Sequence, residues 1–80
     1  MDKQLAKHLI RVAFRSQREL SGCLGALKEG CSPEEYRDYA RGVAAAVHEI
    51  NVALTNKAIA AYPELEQEIE SDMQKYGRYL

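Results

Sequence analysis

Eighty residues, 46% hydrophobic and 29% charged, with two prolines and no tryptophan, describe one helix-prone domain with a small core. That composition excludes disorder. It also excludes a bilayer span, because the most apolar stretch, Val43 to Tyr62, is interrupted by His48, Glu49, Asn51, Asn56 and Lys57.

The formal net charge of −1 is unevenly spread. Residues 1–30 hold six basic and three acidic groups, whereas residues 63–80 hold two and five. A basic first element and an acidic last one are expected to attract each other.

The first helix is predicted over about residues 2–29, with Ala6, Leu9, Ala13, Ser16, Leu20, Cys23 and Leu27 at alternating spacings of three and four. That is a heptad-like seam. Lys3, Lys7, Arg11, Arg15 and Arg18 form a basic ridge beside it. Like charges at this spacing repel, so a counter-charge is expected. The acidic last helix supplies one, and phosphate of a nucleic acid or an anionic surface is the alternative. The near-neutral total and the lack of interleaved aromatics favour internal pairing. The N-terminus is basic and amphipathic, like a mitochondrial presequence. Asp2, Glu19 and the continuing periodicity mark it as part of the fold instead.

The sharpest local signal is Cys31-Ser32-Pro33-Glu34-Glu35-Tyr36. Ser32 suits an N-cap, Pro33 the first helical position and Glu35 the partner of a capping box. Gly30 suits a left-handed helix end. A second helix then covers about residues 33–61, with Tyr36, Ala40, Val43, Val47, Ile50, Leu54 and Ala61 on its seam and Lys57 as the one break.

A connection this short forces the helices antiparallel, each about 42 Å long. Folding about residue 31 pairs Leu20 with Val43, Ser16 with Val47, Ala13 with Ile50, Leu9 with Leu54 and Ala6 with Lys57. Gly22, Gly25 and Gly42 predict close backbone approach near the turn. Cys23 reads as a small core residue. Its Cα should lie roughly 10–12 Å from that of Cys31, too far for a disulfide. Two unbridged thiols imply a reducing, cytoplasmic setting.

Pro63 breaks or kinks the chain, and a third helix is predicted over 64–76, with Gly77 after it. Leu65, Ile69, Met73, Tyr76 and Leu80 form its apolar stripe. Its acids come early and Lys75 and Arg78 late, as the helix dipole prefers.

Nothing here assigns chemistry. His8, His48, Cys23 and Cys31 lack metal-ligand spacing. His48-Glu49 with Asn51, and Cys31 near a helix start, are the only reactive groupings, and a hairpin offers them little concavity. No catalytic residue, cofactor or metal is therefore assigned.

The apolar residues off the seam carry the functional expectation. Ile10, Phe14 and Leu24 on the first helix and Val52 and Ile59 on the second predict a homodimer with a four-helix-bundle core. Tyr76, Tyr79 and Leu80 offer a tail to a partner. The expected class is all-α, a helical hairpin plus a shorter helix. The expected role is a non-enzymatic protein–protein interaction module, such as a small adaptor, chaperone-like protein or regulatory subunit. The alternative is a nucleic-acid-associated regulator using the basic ridge.

Overall fold

Ser32 sets the architecture. Its Oγ accepts from the Glu35 N–H at 3.2 Å, and the Glu35 carboxylate accepts from the Ser32 N–H at 3.0 Å. The Ser32 bonds hold the Glu35 carboxyl below its ordinary pKa. Pro33 follows at the first helical position, where a missing N–H costs nothing.

The computed structural model of the chain is all-α. Its elements are α1 (Lys3–Gly22), α2 (Leu24–Gly30), α3 (Pro33–Ile50), a π-helical turn (Asn51–Thr55), α4 (Asn56–Ala61) and α5 (Leu65–Tyr76). α1 with α2 forms one long arm and α3 through α4 the other, packed antiparallel along a 44 Å axis. The shorter α5 is the third helix. Gly30 stays helical, and extended Cys31 ends the first arm; the only positive φ in the chain is at Gly77.

The first arm is interrupted at Cys23. Its N–H bonds to the Leu20 carbonyl, three residues back, at 3.1 Å. This tightened turn follows the Ser21-Gly22 pair, a common place for a helix to deform. Cys23 is exposed rather than in the core, and the half-buried residues of this stretch are Leu24 and Leu27. The expected backbone approach is also absent. A methyl group added at Gly22, Gly25 or Gly42 would meet nothing within 4 Å.

The second arm departs from expectation at the π-helical turn, where the Asn56 N–H bonds to the Asn51 carbonyl five residues back. One extra residue is thereby accommodated, and the seam shifts. It continues through Asn51, Thr55, Ala58 and Tyr62, instead of Leu54, Lys57 and Ala61. Thr55 and Ala58 are buried, while Leu54 and Lys57 face solvent. The physical reason is legible in the residues. A regular α-helix would place the Lys57 ammonium on the seam, and the π turn rotates it out.

The shift has a cost. The Thr55 hydroxyl is buried without a hydrogen-bond partner. Thr55→Val should therefore raise stability by about 1 kcal/mol, read as a higher urea midpoint at unchanged slope. A lower midpoint would show that the hydroxyl has a partner.

Tyr62 leaves the helical region at φ −136°, and Pro63-Glu64 turns the chain into α5. α5 runs alongside α1 in the same direction, since Lys3 meets Glu64 and Lys7 meets Glu68. The core lies where three elements converge: Ala6 and Ile10 of α1, Ala58 of α4, Leu65 of α5, and Tyr79 beyond it.

Candidate functional site

The flank of α1 that faces α5 carries Lys3, Lys7, Arg11, Phe14 and Arg18, spaced by three and four so that they share one side of the helix. The first two cations are consumed within the chain. Lys3 Nζ lies 3.2 Å from Glu64 Oε1, and Lys7 Nζ lies 2.8 Å from Glu68 Oε1. Glu68 is held below its ordinary pKa chiefly by the Lys7 hydrogen bond. Glu64 is lowered first by a backbone hydrogen bond at its own position and then by Lys3. The expected attraction between the basic first helix and the acidic last one thus takes a specific register.

Arg11 meets the tail. Gly77, at φ 72°, ends α5 in the left-handed conformation that glycine adopts without steric penalty, and its N–H bonds to the Met73 carbonyl at 3.0 Å. The chain then folds back. The Leu80 N–H donates to Asp72 at 3.1 Å, and Arg11 Nη2 donates to the Leu80 carbonyl.

Tyr79 inserts between these contacts. Its ring meets Phe14 edge-on, with centroids 6.2 Å apart and planes at 72°, and the Arg11 guanidinium stands 5.0 Å from its centroid. Its hydroxyl donates to Glu68 at 3.3 Å. Tyr79 is therefore a core residue and not part of an open tail.

Burial and the Glu68 carboxylate push the Tyr79 phenol up from 10.0 to about 12. The raised value means that the neutral phenol is favoured by folding. Its contribution is complete below pH 10 and is lost as pH rises through about 12. Two pH units correspond to at most about 3 kcal/mol. The urea midpoint of the wild type should fall across this window, and Tyr79→Phe should remove that part of the fall. An identical alkaline profile in the variant would exclude the phenol as its source.

Between α1, the end of α3, the π turn, α5 and this tail lies a cleft of about 410 Å³. Phe14, Val47, Ile69 and Met73 give it an apolar lining. Arg11, Arg18 and Arg78 supply three guanidiniums, and no acidic residue lines it. Gln17 ties the two arms together at its edge, donating to the Val47 carbonyl at 3.0 Å and to Asn51 Oδ1 at 2.8 Å. The Arg11 Nε–H is buried with no partner.

The basic ridge is thus divided. Lys3 and Lys7 are paired, Arg11 is held by the tail, Arg15 is exposed, and Arg18 lines the cleft. The five apolar candidates are divided as well. Ile10 is fully buried within the chain, because α5 covers it, and is not available to a second copy. Phe14 and Ile59 pack against that same core. Leu24 is half-buried, and Val52 is 46% exposed.

Arg78 is the cleft cation that lies outside the predicted basic ridge. Its signal was Gly77, which permits the reversal that brings the following residues back onto α1. His8 and His48 are exposed, both cysteines are free, and no three His, Cys, Asp or Glu side chains cluster as metal ligands. No helix is long and apolar enough to cross a membrane. Compared with protein-family models, curated proteins and solved structures, the chain finds no match.

Proposed function

We propose that this chain is a non-enzymatic helical interaction module that works as a homodimer, each copy presenting the flank of its hairpin opposite α5. The observation that carries this reading is the excess of exposed surface. The chain exposes 5705 Å², against about 4,900 Å² expected of a compact monomer of its 9.0 kDa mass. Its radius of gyration is 14.9 Å, against about 11.6 Å for a compact domain of this length. The excess, roughly 800 Å², is the area one partner contributes to an interface of ordinary size. Only seven residues are buried, so the chain alone has little core to hold it.

The apolar groups lie where such a partner would sit. Leu5, Leu9 and Val12 recur at helical spacing on the side of α1 away from Lys7 and Phe14. Leu5 is 52% exposed, and Leu54, turned outward by the π turn, is 38% exposed. Two copies joined on these flanks make a four-helix core. The nucleic-acid reading has less support, since Lys3 and Lys7 of the ridge are neutralised by α5.

Light scattering at two protein concentrations and two salt concentrations tests this. The expected mass is twice 9.0 kDa, falling to 9.0 kDa in Leu5→Glu/Leu54→Glu with unchanged helicity. A wild type at 9.0 kDa throughout would overturn self-association.

A further inference from the structure

We infer that the cleft between the hairpin and α5 binds a small amphipathic oxyanion: one carboxylate or phosphate head on an apolar body. Three features select that class. Arg18 and Arg78 have no counter-charge of their own. Only two ion pairs form in the chain, and neither uses Arg18 or Arg78. With no acid in the lining, an incoming oxyanion meets guanidinium forks suited to two-point binding. The Arg11 guanidinium, held by the Leu80 carbonyl and the Tyr79 ring, adds positive potential beside them.

The body must be apolar, because Phe14, Val47, Ile69 and Met73 form the rest of the wall. The ligand must also be small. A volume of about 410 Å³ falls within the range of small-molecule sites. A polymer would need a longer run of free cations, yet Lys7 and Lys3 are already paired and only Arg15 of the ridge is left outside the cleft. The cleft lies on the α5 flank and the proposed dimer face on the other, so the two proposals stand or fall separately.

The test is an NMR titration of the full chain with octanoate, octyl phosphate, octanol and inorganic phosphate. Saturable shifts at Phe14, Met73 and Gly77 are expected with one or both of the first two probes. Whichever binds more tightly assigns the head. Octanol, which lacks the charge, and inorganic phosphate, which lacks the body, should bind at least about tenfold more weakly. Arg18→Gln/Arg78→Gln should lose about tenfold in affinity for the better probe, whereas Arg15→Gln, outside the cleft, should match the wild type. If the double variant does not fold, Arg18→Gln alone, at an exposed position, carries the comparison. Equal binding of octanol, shifts scattered over the surface, or undiminished binding by a folded Arg18 variant would overturn the inference. So would a short single-stranded oligonucleotide that displaces the probe from these residues with steep salt dependence.

Discussion

Removing Val52 should leave a folded protein, whereas removing Arg15 should unfold it. Both side chains are exposed, so the contrast does not come from lost contacts. It comes from register. The second arm already carries one residue more than a regular helix needs between Val47 and Ala58, and the π turn absorbs it. Deleting Val52 lets Asn51–Thr55 close as ordinary α-helix, and Thr55, Ala58 and Tyr62 stay at seam spacing.

α1 has no such reserve. Deleting Arg15 rotates everything before it by about 100° relative to the rest of the helix. That turns Ala6 and Ile10 out of the core and breaks the Lys3–Glu64 and Lys7–Glu68 register together. The stability of an 80-residue domain is about 4–12 kcal/mol, and losing the whole α1–α5 contact exceeds the lower part of that range. Thermal unfolding followed by far-UV circular dichroism decides it. A cooperative transition at or above the wild-type midpoint is expected for the Val52 deletion, and none for the Arg15 deletion. Loss of the transition on deleting Val52 would show that the π turn is required by the fold.

What the sequence made legible follows from how local each signal is. The Ser32-Pro33-Glu35 cap acts over four residues, so the turn, the antiparallel arms and their length could be read directly. The attraction between α1 and α5 was also legible, because alternatives to internal pairing were few in a chain of net charge −1. The seam was legible only as far as Val47. Beyond it, Lys57 marked a conflict between helical period and burial. Sequence alone did not show whether the lysine would snorkel or the helix would insert a residue. Cys23 is exposed while Leu24 beside it is half-buried, a choice between neighbouring positions that a spacing of three and four does not fix. The cleft was not legible at all. Its walls come from α1, α3, the π turn, α5 and the tail, and Arg78 reaches it where the chain reverses at Gly77.

The second large effect is expected at Ile10, where sequence and structure give opposite readings. As an off-seam residue it was a candidate contact for a second copy. Its truncation would then lower the dimer mass and leave the monomer folded. The structure places it at 0% exposure, in one cluster with Ala6, Ala58, Leu65 and Tyr79. Ile10→Ala should therefore cost about 2–5 kcal/mol, through lost burial and the cavity left behind. Nearby small residues are poorly placed to fill that space: Ala6, Ala13 and Ala58 have no rotamers with which to relax. Val52→Ala, at an exposed position, should stay within about 0.5 kcal/mol and serves as the control. A core of seven buried residues has little redundancy, so the Ile10 variant should lose a large share of its total stability. A folded Ile10→Ala monomer with wild-type urea midpoint would mean that α5 does not cover α1 in solution. The clamp of Lys7, Arg11 and Tyr79, and the cleft it helps to close, would then fall with it.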